Sequence, residues 1–199
     1  MKYFTKNSAS YHYGWISSAF LLLFLLSFNF VSSGQGSIHI DLFKVQPVVT
    51  KVNTYKVQVN LSYQLSDYLS KSLLNGIILK SQLQFYYEQP NNWFWNKQKR
   101  LATLKFQLKY HALSRHYLLS RNDTNEHWNF GNISAALRKM GEIRNYELPP
   151  LPAKEEGNNR YISAVSQLEP SSLSLPLRLQ SFLSDKYRLV SQEVRWPLP

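Results

Sequence analysis

The stretch "TYKVQVNLSYQL" alternates without a break: Tyr55, Val57, Val59, Leu61, Tyr63 and Leu65 are apolar, and Lys56, Gln58, Asn60, Ser62 and Gln64 between them are polar. Alternation of this length predicts a strand with one buried face. "SIHIDLFKVQPVV" before it also reads as extended, with Pro47 placing it at an edge or a bend. "SDYLSKSLLNG" changes the period. Ser66 can cap, Leu69 and Leu73 share a face, and Asn75-Gly76 stops a helix of about two turns. Period two then returns in "IILKSQLQFYYE", with Ile77, Leu79, Leu83, Phe85 and Tyr87 inward, and in "LATLKFQLKYHA". There Ala102, Leu104, Phe106, Leu108 and Tyr110 form one face, and Thr103, Lys105, Gln107, Lys109 and His111 the other. "PNNWFWNKQKR" joins these two strands and reads as the tip of a long hairpin, with Trp93 and Trp95 as an aromatic pair near its end.

In "ALSRHYLLSRND" the parity slips, since Tyr117 and Leu119 fall out of phase; a bulge near Leu113 to Arg115 would cause this. Gly131 or Asn132 starts a short helix, "ISAALRKM", closed by Gly141. "LPPLPAKEEGNN" is a connecting loop, "RYISAVSQLE" a strand, "LPLRLQSFL" a third helix with Pro176 in its first turn, and "YRLVSQEVRWPL" the last strand. About seven strands and three short helices, with few strand–helix–strand spacings, predict a mainly β (α+β), antiparallel sandwich-like domain over residues 35–199.

The first 34 residues read differently. Lys2 and Lys6 are followed by a run from Asn7 to Ile40 with no charged residue, centred on the apolar "WISSAFLLLFLLSFNFV". A core helix carries a polar stripe, and this run has none. A positive start, an apolar centre and the small residues of "VSSGQG" are the parts of an export signal. Residues 1–34 are therefore expected to be a cleaved signal peptide or a retained N-terminal membrane anchor. The protein is expected to be exported and periplasmic, either soluble or tethered to the inner membrane.

Composition narrows the chemistry. The absence of Cys excludes disulfides, thiolate metal sites and cysteine nucleophiles. The five His form no metal-ligand spacing, no GxSxG or Gly-rich phosphate loop occurs, and Glu155-Glu156 lies in a polar loop. No catalytic residue, cofactor or metal is expected. Net charge is +11, and between Gln89 and Asn122 there are seven cations and no acid. Trp93, Trp95, Lys97, Lys99, Arg100, Lys105 and Lys109 form the candidate interaction surface, with Lys56 and Lys80 expected on the same sheet face. The competing structural reading is a solvated face whose edge lysines prevent aggregation. The functional reading is attraction to anionic lipid or to an acidic protein. The expectation is an exported, non-enzymatic binding module. A carbohydrate-acting or hydrolytic enzyme is the alternative, and a nucleic-acid binder a lesser one.

The run "LSYQLSDYLSKSLLNGIILKSQLQF", then Trp93 and Trp95, then "LKYHALSRHYLL", resembles the bacterial domain of unknown function 4390 family. Leu108, Tyr110, Leu113 and Tyr117 match its Leu-x-Tyr-x-x-Leu-x-x-x-Tyr run, and Leu175, Pro176 and Trp196 its C-terminal features. The chain departs at Ser166, where a basic residue is expected, and near Ser174, where a second Pro is expected. The resemblance covers most of residues 38–197. It implies an exported protein with no assigned activity, encoded beside a membrane sensor kinase that is a candidate partner.

Overall fold

The computed structural model describes residues 36–89, 97–152, 159–169 and 189–199. They form β1 (Ser37–Pro47), β2 (Tyr55–Gln64), α1 (Asp67–Leu74), β3 (Leu79–Gln89), β4 (Lys97–His111), β5 (His116–Arg121), β6 (Glu126–Phe130), α2 (Ile133–Gly141), β7 (Glu142–Glu147), β8 (Arg160–Glu169) and β9 (Val194–Leu198). Every pairing is antiparallel. One sheet has the order β1-β2-β7 and the other β6-β5-β4-β3-β8-β9. The expected mainly β, two-sheet architecture is therefore found.

Alternation decides what lies between the sheets. Val57, Val59 and Leu61 of β2 face Leu83, Phe85, Leu104, Phe106 and Leu108 of β3 and β4, and all are buried. The Phe85 ring stacks on Phe43 of β1 at 6.5 Å and on Tyr146 of β7 at 5.9 Å, so it touches both outer strands of the smaller sheet. The Tyr63 hydroxyl crosses the same interface to Ser81 at 3.0 Å and Ser166 at 3.1 Å. Burial pushes that phenol above its ordinary pKa, against the opposing effect of the two serine hydrogen bonds.

Register shifts adjust the alternation in three pairings of the described strands; that between β2 and β7 lies where Val57 pairs with Tyr146 and Val59 with Ile143. In β1, Ile40 pairs with Leu61 and Leu42 with Asn60, leaving Asp41 as the extra residue. The inward set thereby moves from Ile38 and Ile40 to Phe43 and Val45, and Ser62 hydrogen-bonds Asp41 on the solvent side. In β4, Phe85 pairs with Ala102 and Tyr86 with Arg100, leaving Leu101 as the extra residue.

Both helices within the described residues are capped as their sequences predict. The Ser66 hydroxyl accepts from the Leu69 N–H at 3.3 Å, and the Asn132 side chain from the Ala135 N–H at 2.8 Å. The helix expected over residues 175–183 lies outside the described residues, as does the hairpin tip 90–96, although β3 and β4 pair up to Gln89 and Lys97. Three expectations are corrected. Leu113 to Arg115 is not a bulge but the turn joining β4 to β5, with Arg115 in the left-handed region at φ 54°. "EHWNF" and "EIRNYE" are strands β6 and β7 that the pattern did not reveal. The last strand is shorter than expected: 189–193 are not part of β9, although Ser191 still pairs with Ser166 of β8.

No helix among the described residues is long and apolar enough to cross a membrane, and residues 15–31 lie outside that set.

The end of α2 rests on the backbone of β2. A Cβ at Gly141 would sit 2.1 Å from the Leu61 carbonyl oxygen, a distance that no main-chain neighbour can absorb without moving. Gly141→Ala is expected to destabilise the fold by about 2–3 kcal/mol through overpacking, measured by urea denaturation. A loss below about 0.5 kcal/mol, the range of ordinary surface changes, would show that α2 does not press on β2.

Candidate functional site

The inward requirement of Leu104, Phe106 and Leu108 turns Lys105, Gln107 and Lys109 outward on β4. Cross-strand pairing extends this outer face into two rows. Lys80, Gln107, Ser120 and His127 lie opposite one another across β3, β4, β5 and β6. Lys109, Leu118 and Asn129 form the adjacent row. Where the rows meet Ile78, the face is hollowed into an open cavity of about 430 Å³. Ile78, Leu118, Leu119 and Trp128 supply the apolar part of its lining, and Gln107, Lys109, Ser120, His127 and Asn129 the polar part. Leu118 keeps 37% of its surface exposed, which is unusual for an apolar residue in the middle of an outward row.

The bulge at Leu101 divides the sequence-predicted surface. Arg100 pairs with Tyr86 and joins Lys105 and Lys109 on the outer face. Lys99 pairs with the buried Tyr87, taking the other parity while remaining exposed, and Lys97 pairs with Gln89 at the strand's end. Trp93 and Trp95 lie outside the described residues. Lys80 is on the expected face, but Lys56 is not: it belongs to β2 and projects from the outer side of the other sheet.

A second polar cluster lies further across the same face, on β3, β8 and β9. Glu88 is only 5% exposed. Its carboxylate accepts from Ser163 and from Gln98 at 3.2 Å, and forms an ion pair with Arg195 at 3.1 Å. Glu193 adjoins it, accepting from Gln98 at 3.4 Å and Arg195 at 3.3 Å. Partial burial alone would raise the Glu193 carboxyl. The nearby Ser163 and Glu88 side chains, together with the Arg195 guanidinium, outweigh this and hold it below the usual carboxylate range. No local motif announces this cluster, because its members are scattered from Glu88 to Arg195 and meet only through strand pairing.

Among the described residues no group of three or more His, Asp or Glu is placed to hold a metal. His111 and His116 pair directly across the β4–β5 turn, and each Nδ1 is engaged locally, with the Ser114 hydroxyl at 3.1 Å and the Ser114 carbonyl at 2.5 Å respectively.

The sequence pattern of the Domain of unknown function (DUF4390) family matches residues 38–197. The chain belongs to the DUF4390 family. No curated protein and no solved structure matches it. In this DUF4390 chain the matched segment begins within β1 and ends within β9, so it takes in both sheets and both polar clusters.

The sequence did not single out Ile78, Leu118, His127 and Asn129 as one site. β6 is only five residues long between turn residues, and without it the second row has no partner strand.

Because the Glu193 pKa is lowered in the folded state, its contribution is present above the unfolded carboxylate pKa of about 4.3 and is lost as pH falls through the lower folded value. Glu193→Gln is therefore expected to be less stable than the parent at neutral pH, with the gap closing on acidification to about pH 3. Urea midpoints at both pH values check this. A gap that stays constant with pH would remove Glu193 from the ionised network.

Proposed function

We propose that this chain is an exported, non-enzymatic binding module. In this reading residues 1–34 direct export, residues 35–199 form the extracytoplasmic domain, and the outer face of the six-stranded sheet meets an anionic partner. The partner is an acidic region of a membrane protein such as a sensor kinase, or an anionic lipid surface. The observation that carries the reading is the outward placement of Arg100, Lys105 and Lys109 on one strand, within a segment that has no acidic residue between Gln89 and Asn122. Lys80 extends the same charge to the neighbouring strand.

Export is supported by Lys2 and Lys6 ahead of the uncharged apolar run. An exported domain does not meet nucleic acid, so the cationic face is better suited to protein or lipid. The hydrolytic alternative is disfavoured by the geometry of Glu88 and Glu193. Both carboxylates are engaged by the same Gln98 amide and the same Arg195 guanidinium. Glycoside hydrolysis needs one carboxyl free to protonate the leaving group and a second free to act at the sugar, and these two are tied to Gln98 and Arg195.

An alkaline phosphatase fusion after residue 40 is expected to be active, and an inactive fusion would overturn the reading. The mass of the mature protein then separates the two forms of export: a chain beginning after Ser33 or Gly34 is a secreted domain, and a full-length chain is an anchored one.

A further inference from the structure

We propose that the cavity beside Lys105 and Lys109 recognises an extended acidic segment of a partner protein, seating one apolar side chain between two carboxylates. This rests on the binding-module reading and specifies the ligand of its cationic face. Three features of the face select this occupant.

The outward cations of β4 are spread along the strand. At about 3.3 Å per residue, Arg100 and Lys109 stand roughly 30 Å apart. A single small anion spans a fraction of that length, whereas an extended chain follows it. The face also combines charge with apolar surface. Ile78 and Leu118 line the cavity together with Lys109, Gln107, His127 and Asn129, with no acidic side chain among the described lining residues. A purely charged ligand leaves that apolar surface wet, so the complementary ligand carries an apolar group. Finally, the site is hollow. A side chain projecting from an extended backbone fills such a hollow, which a flat headgroup layer would span.

The spacing sets a pattern. Side chains of an extended segment return to the same side every second residue. Lys105 and Lys109 are four residues apart with Gln107 between them, and Gln107 lines the cavity. A segment running along β4 therefore presents carboxylates at positions i and i+4 to the two lysines and an apolar residue at i+2 to the cavity. Gln107 and Asn129 supply amides for its backbone or side chains.

The test uses the full chain in non-ionic detergent micelles, which cover its apolar N-terminal stretch. The probe is a fluorescein-labelled, end-capped pentapeptide with glutamate first and last, leucine at the centre and serine between, read by anisotropy. Binding is expected to weaken about tenfold on Lys105→Glu, on Lys109→Glu, and on replacing the central leucine by serine. Lys56→Glu makes the same charge change on the other sheet and is expected to leave binding within about twofold. Lys105, Lys109 and Lys56 are all exposed, so unchanged thermal unfolding verifies the fold of each variant. Equal weakening by Lys56→Glu, or indifference to the central leucine, would overturn the proposal. So would tighter binding of the same face to a single-stranded oligonucleotide or to micelles doped with phosphatidylglycerol. If the doped micelles bind through Lys105 and Lys109 while the peptide does not, the acidic-segment proposal falls and the binding module stands. If no anion binds through these lysines, both fall.

Discussion

Strand β4 can present each side chain to only one of two faces, and the surface of this protein follows from that constraint. The interior requires Leu104, Phe106 and Leu108 against β2 and β3, and all three are buried. Lys105, Gln107 and Lys109 then have one direction left. One extra residue, Leu101, reverses the sense for everything before it, bringing Arg100 to the outer face and giving Lys99 the opposite parity. A run of cations that looks continuous in sequence is thus sorted by a single bulge. Removing the extra residue would exchange Arg100 and Lys99 between faces while leaving the composition of the strand unchanged.

The same constraint explains what the sequence made legible. Where strands alternate over many residues, as in Tyr55 to Leu65 or Leu101 to Tyr110, both the element and its buried face are readable, because burial on one side imposes the pattern. The capped helices are readable for a local reason, the N-cap side chains of Ser66 and Asn132. The β4–β5 turn is not legible in the sequence, because a change of parity has two causes. A bulge inserts one residue and continues the strand; a turn reverses it. The sequence of Leu113 to Arg115 does not distinguish them, since Arg115 adopts a left-handed conformation more typical of Gly or Asn. Strands β6 and β7 are too short to show a period, and Lys56 was assigned to the wrong sheet because sheet membership depends on long-range pairing.

The Glu88 cluster shows what pairing can assemble without any sequence signal. Glu88, Gln98, Ser163, Glu193 and Arg195 come from β3, β4, β8 and the segment ending in β9. A carboxylate buried this far would be costly unless its lone pairs were filled. Here Ser163, Gln98 and Arg195 fill them, so the cost of burial becomes a condition on where β9 sits. Strand β9 is an edge of the larger sheet and only five residues long, so few ladder hydrogen bonds fix its place. The cluster fastens it through charge-assisted bonds whose geometry is satisfied in one register.

Protection against aggregation does not account for the cationic face. Lysines that blunt a sheet belong on its edges, where unpaired backbone groups invite another strand. The edges of the six-stranded sheet are β6 and β9, and β4 is interior, paired on one side with β3 and on the other with β5. Lys105 and Lys109 therefore shield no free edge. β6, which does present one, carries His127 and Asn129 outward rather than lysine. Solubility alone also fails to explain Leu118, which sits directly opposite Lys109 with more than a third of its surface exposed, in a row where a polar residue would satisfy the fold equally well. In the proposed reading, an apolar residue held open between Lys109 and Asn129 is a cost in water that a matching ligand removes. Under that proposal, exposed apolar surface beside charge is what distinguishes a binding face from a merely solvated one.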